Sequence, residues 1–281
     1  MRNTRYGFLV LLSSLLMLTG CSRRDILDDY PVSGVDIKLD WDGVTNQLPE
    51  GVRVIFYPKS AEGRKIDTYL SVRGGKVKVP PGRYSVVAYN YDTETVQIRG
   101  EEAYETIEAF TGYCNGLGIA GTEKMVWGPD PLYVVQINDL HIANSEEELL
   151  LDWKPKLVVK TYSFKIKVEG LEYVSSIVGS VEGMAGCYCL GRCCGMMNDA
   201  PIYFEAQGCS GEVTGSFTAF GLPEGAMSRA SLAIKFTLAF VKVDNTVQKI
   251  EVDITDVIVN SESGEGGGND EPSKDIELPL D

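Results

Sequence analysis

From residue 35 onward the chain alternates apolar and polar residues with period two, and this alternation decides its fold class. Val35, Ile37, Leu39 and Trp41 share one side of an extended segment, with Asp36, Lys38 and Asp40 on the other. Successive side chains of a β-strand point to opposite faces, so such a segment buries one face and wets the other. The pattern returns at residues 52–57, 76–79, 83–90, 132–137, 162–168 and 213–220, and again through Leu232, Ile234, Phe236, Leu238 and Phe240. A turn at Asp244-Asn245 then leads into Ile250, Val252 and Ile254. Pro81-Gly82 predicts a tight hairpin joining 76–79 to 83–90, because proline fixes φ and glycine tolerates positive φ.

About seven short strands fall in each half, which predicts an all-β protein of two antiparallel β-sandwich domains in tandem. We place these at residues 32–150 and 151–281, preceded by a tether at 21–31. The boundary is set by Asn144 to Leu150, where Ser145 and Glu148 have capping-box spacing and predict a helical turn. Residues 260–270 are acidic and glycine-rich, so 260–281 reads as a tail region, with residues 276–280 a frayed end rather than a strand. With 44% hydrophobic and 23% charged residues, the composition is that of a folded chain.

The amino terminus predicts a lipid anchor. Arg2 and Arg5 precede an apolar run of about a dozen residues, long enough for a secretory leader and too short to span a bilayer. Leu18-Thr19-Gly20-Cys21 follows in lipobox order: an aliphatic residue, two small ones, then the cysteine whose thiol accepts diacylglycerol. Cleavage after residue 20 leaves acylated Cys21 first. Ser22 stands where an aspartate would favour retention at the inner membrane, so the outer membrane is expected, with surface exposure favoured over a periplasmic orientation. Loss of the leader takes the net charge from −14 to −16, and so acidic a chain lacks the basic surface that nucleic acid requires.

Chemistry is sparse. His141 is the one histidine, read as an exposed loop residue, and it has no G-x-S-x-G or cysteine-protease signature around it. Neither phosphate loop, dinucleotide fingerprint nor calcium loop occurs. No catalytic, cofactor-binding or metal residues are therefore assigned, and the chain is expected not to be an enzyme. Six cysteines remain besides Cys21: Cys114, Cys187, Cys189, Cys193, Cys194 and Cys209. Free or partly oxidised thiols are favoured over disulfides, whose pairing the sequence leaves open, and over a soft-metal site, for which separated C-x-x-C knuckles are missing.

Certain stretches carry a resemblance. Val79-Pro80-Pro81-Gly82-Arg83-Tyr84-Ser85-Val86 lies in the first half, and Tyr162-Ser163-Phe164-Lys165-Ile166-Lys167-Val168-Glu169-Gly170-Leu171 opens the second. With the segment from Val174 to Gly186 and the lipobox, these resemble the fimbrial anchor and fimbrillin-like lipoproteins of Bacteroidetes. The resemblance implies two transthyretin-like, Greek-key sandwiches and an anchor or accessory role in a fimbria, with a fimbrial subunit as partner. The cysteine-rich run 187–194 departs from that family. Docking by addition of a strand to an exposed sheet edge is the expected mode. The alternative is a surface glycan-binding lipoprotein of a polysaccharide uptake system, built on the three tryptophans and 14 tyrosines.

Overall fold

The computed structural model describes residues 34–44, 47–114, 124–145, 147–197, 200–226, 233–263 and 273–277. The leader, Cys21 and the tether lie outside the described residues. The first strands are β1 (Gly34–Leu39), β2 (Gly51–Pro58), β3 (Ile66–Ser71), β4 (Gly74–Lys78), β5 (Gly82–Asn90), β6 (Val96–Arg99) and β7 (Glu108–Thr111). There follow β8 (Tyr113–Cys114), β9 (Met125–Trp127), β10 (Tyr133–Ile142), β11 (Leu149–Trp153) and β12 (Lys156–Leu157). The second half holds β13 (Lys160–Lys167), β14 (Val174–Glu182), β15 (Ala185–Cys189), β16 (Cys194–Met197), β17 (Ile202–Cys209) and β18 (Glu212–Ala219). It ends with β19 (Lys235–Lys242), β20 (Val247–Asp253), helix α1 (Thr255–Ser263) and β21 (Ser273–Glu277). The fold is all-β, as the alternation requires.

An eight-stranded sheet runs β11-β1-β4-β3-β2-β5-β10-β12. Val35 and Ile37 of β1 share one core with Val54 and Phe56 of β2 and Val86 of β5. Strands so far apart in the order meet because the sheet folds over at the β3–β4 corner, where a single rung sets Ser71 opposite Gly74. Gly74 is obligatory there: its φ is +95°, and a Cβ would lie 2.0 Å from the Ile37 carbonyl oxygen.

This folding-over corrects the expected hairpin at Pro81-Gly82. β4 pairs with β1 and β3, whereas β5 pairs with β2 and β10. The proline-glycine turn therefore carries the chain from one layer to the other, and Val77 and Val79 meet Val86 through side chains in the core. Tyr84 braces the arch by donating its hydroxyl to the Pro80 carbonyl at 2.9 Å.

The boundary at residue 150 is also corrected. Residues 149–153 form β11, paired in parallel with β1 from Val35 opposite Leu149 to Leu39 opposite Trp153. The first sheet thus extends through β12, and the chain crosses to the second half at residues 158–159. Among the described residues around Ser145 none is helical: its Oγ accepts the Glu147 amide at 3.0 Å, and Glu148 pairs with Lys76 across the sheet at 2.7 Å.

The nine-stranded sheet runs β20-β19-β14-β17-β18-β13-β21, with β8 and β9 joined to it through β17. Its core is aromatic. Phe164, Phe204, Phe217 and Phe236 form a connected set with ring centroids 5.0–6.4 Å apart. Such rings fit between adjacent strands only where a neighbour has no side chain. Added Cβ atoms on Gly179 and Gly215 would stand 2.2 Å from Phe204 and 2.6 Å from Phe164. Helix α1 closes one end, with Ile258 wholly buried in this core. The terminal segment read as a frayed tail is instead a strand in part: β21 pairs in parallel with β13, from Thr161 opposite Ser273 to Lys165 opposite Glu277.

The two halves exchange elements. A four-stranded sheet, β16-β15-β7-β6, combines two strands from each half. Reciprocally, β9 of the first half pairs with β17 at Val126 opposite Ile202 and Trp127 opposite Tyr203.

Candidate docking edge and cysteine hairpin

The sequence of β20 predicts the edge it forms. Ile250 and Val252 turn inward and are half-buried, while Lys249, Glu251 and Asp253 are exposed. All seven residues pair with β19, from Lys235 opposite Asp253 to Val241 opposite Val247, and among the described residues no strand pairs with β20 on its other side. The Asp244-Asn245 turn joining the strands is as expected: Asn245 takes φ 65°, and the Asp244 carboxylate accepts the Thr246 amide at 2.9 Å. The Thr246 hydroxyl, which donates to the same carboxylate at 2.6 Å, and then that amide hold the Asp244 carboxyl below the usual carboxylate range.

Beside this edge lies a recess of about 370 Å³, where Val168, just past the end of β13, faces Phe240 and Ile250. At its mouth Tyr173 and Val243 are 61% and 68% exposed, held together by the Val243 amide on the Tyr173 carbonyl at 3.0 Å. An unpaired backbone edge flanked by apolar pockets is the geometry that accepts an extended peptide. Alternation made β20 legible in advance. The recess was not, because it depends on how the sheet curls.

The cysteine run forms the β15–β16 hairpin. Cys187 faces Met196 and Cys189 faces Cys194 across antiparallel rungs. Leu190, at the tip, is wholly buried among Tyr104, Ile107 and Val87 of the first half. Cys114 packs far away in sequence against Met125, Val178 and Tyr203. Cys209 sits exposed at the β17–β18 turn. Among the described residues no group of three or more His, Cys, Asp and Glu is placed to hold a metal ion. His141 is exposed on a strand rather than in a loop, opposite Arg83.

One polar cluster was missed from sequence. Arg53 on β2 donates to Asp67 at 2.9 and 2.7 Å and to Glu101 at 2.5 and 3.1 Å, with Tyr89 at 2.9 Å. These hydrogen bonds hold the Asp67 carboxyl below the usual range. Arg53 also lies 5.7 Å from the ring of Tyr69, whose exposed side chain meets Tyr91 edge to face at 5.3 Å. Alternation alone marks Arg53 as simply outward, since its partners come from distant strands.

Folded-over antiparallel sheets with an exposed strand edge define an all-β module of paired sheets. Residues 20–205 match the family described as "Domain of unknown function (DUF5119)", and the chain belongs to that family. It is 61% identical, over its whole length and 89% of the other's, to a Bacteroides ovatus protein proposed as fimbrium anchoring subunit Fim4B. The crystal structure of a proposed adhesin from Bacteroides ovatus is similar at a TM-score of 0.77 and 58% identity, covering 93% of this chain and 94% of that one. The fimbrial anchor protein Mfa2 of Porphyromonas gingivalis shares the fold at a TM-score of 0.50 and 11% identity, over 88% and 89% of the two chains. The resemblance to fimbrial anchors stated from the sequence is met by these relatives.

Proposed function

We propose that this chain is an anchor or accessory subunit of a fimbria in cell adhesion, held at the outer membrane by lipid on Cys21. The full-length identity of 61% to the protein proposed as a fimbrium anchoring subunit supports the fimbrial role. The leader and lipobox support the lipid. The role is mechanical and adhesive rather than catalytic.

The observation that carries the docking mode is the edge of β20, unpaired among the described residues, beside the recess of Val168, Tyr173, Phe240 and Ile250. A fimbrial subunit adds an extended strand there. Main-chain hydrogen bonds supply affinity, and alternate side chains entering the recess supply choice of partner. Pull-down from native outer membranes tests this: the wild-type chain recovers a fimbrial subunit and Ile250→Lys loses it. Equal recovery by both places docking elsewhere, and no recovery by either contradicts the fimbrial role.

A glycan-binding role is the second reading, and the exposed Tyr69–Tyr91 pair favours it. It predicts binding to a soluble polysaccharide that Tyr69→Ala weakens.

A further inference from the structure

The six cysteines beyond Cys21 occupy several strands, yet only one described rung sets cysteine opposite cysteine: Cys189 and Cys194, at the closing end of the β15–β16 hairpin. Antiparallel partners stand about 4.5–5.5 Å apart at Cα, within the span of about 4.4–6.8 Å that a disulfide bridges. Side chains of directly opposed residues also share a face of the sheet. The two thiols rest on separate acceptors: Cys189 Sγ is 3.7 Å from the Glu105 carbonyl, and Cys194 Sγ is 3.4 Å from the Glu224 carboxylate. We infer that Cys189 and Cys194 are a disulfide-forming pair that staples the tip of this hairpin.

The other pairings within the run are worse. Cys187 and Cys189 lie two residues apart on one strand, where parallel side-chain directions oppose a bridge. Cys193, at φ 52°, turns its thiol back to the Leu190 carbonyl at 3.7 Å. Cys187 faces Met196.

The reaction is thiol–disulfide exchange with a small-molecule or protein disulfide as oxidant. Cys194 is half-exposed and Cys189 is 2% exposed, so the Cys194 thiolate attacks first. It forms a mixed disulfide and expels one thiolate of the oxidant. The Cys189 thiolate then attacks the Cys194 sulfur and expels the second. The oxidant leaves as two thiols carrying the two protons, having taken two electrons. Burial first, and then Glu224, push the Cys194 thiol up to about 11, so the first step is slow at neutral pH.

The product encloses Leu190 to Cys193 in a short covalent ring. Because Leu190 fills the core of the first half, the ring fixes the element by which the second half grips the first.

Incubating the mature chain with oxidised glutathione, blocking residual thiols with N-ethylmaleimide and cutting with trypsin tests the pair. Arg192 is exposed between the two cysteines, so cleavage after it yields two peptides. These stay linked through Cys189 and Cys194 until reduced, and Cys194→Ser leaves them unlinked. Glu224→Gln accelerates linkage several-fold at neutral pH. Alkylation of both thiols in the oxidant-treated wild type, or a link through other cysteines, overturns the inference. The wild-type peptide map decides the matter even where a variant fails to fold.

Discussion

The backbone N–H of Leu190 donates to the carbonyl of Ile107 at 3.0 Å, although the two residues belong to opposite halves of the chain. With the leucine side chain wholly buried in the first half's core, the hairpin tip works as a plug. Leu190→Ala removes that plug and leaves a cavity, and a loss of about 2–5 kcal/mol is expected. Urea unfolding followed by tryptophan fluorescence and by circular dichroism measures it. Both probes shift together, because the halves exchange strands; separate transitions contradict that coupling.

Gly179→Ala puts a methyl group against the Phe204 ring, where an added Cβ would stand 2.2 Å away. Overpacking of this kind costs about 1–3 kcal/mol. Phe204→Leu in the same chain relieves the clash, so the double variant is more stable than the two losses summed. Additive losses in a thermal melt would show that the ring and the glycine do not interact.

Acid destabilises the Arg53 cluster. The Asp67 carboxyl binds its proton more weakly in the folded chain than in the unfolded one, chiefly because it accepts hydrogen bonds from Arg53. Its contribution is therefore complete at neutral pH and disappears as pH falls through and below the ordinary carboxylate range. Asp67→Asn lowers stability at pH 7 and flattens the acid limb of the stability curve. Urea midpoints for both proteins across that range check the sign.

Cys21→Ala moves the protein from the membrane pellet to the soluble fraction of the envelope. Membrane retention equal to that of wild type counts against lipid at this position.

Alternation revealed most of the strands because each buries one face, and Asp244-Asn245 announced its turn by side-chain chemistry. Pairing was less legible. Pro81-Gly82 looks the same in a hairpin and in an arch, and only the strand pairing, β4 with β1 and β3 but β5 with β2 and β10, distinguishes them. Asn144 to Leu150 looked like a helical turn because Ser145 and Glu148 have capping spacing, but the chain from Leu149 onward pairs in parallel with β1 instead. The exchange of hairpins between halves left no sequence signal, since Val126 and Leu190 are apolar whichever core receives them. Of the docking edge, Ile250 and Val252 were visible as a strand face. The absence of a neighbour beside them was not.

Amide hydrogen exchange on the mature chain, alone and mixed with fimbrial subunits purified from the same bacterium, tests the docking edge most directly. Protection should rise at residues 247–253 of β20 on mixing and should not rise with Ile250→Lys. Unchanged exchange along β20 while the subunits bind would contradict strand addition at this edge.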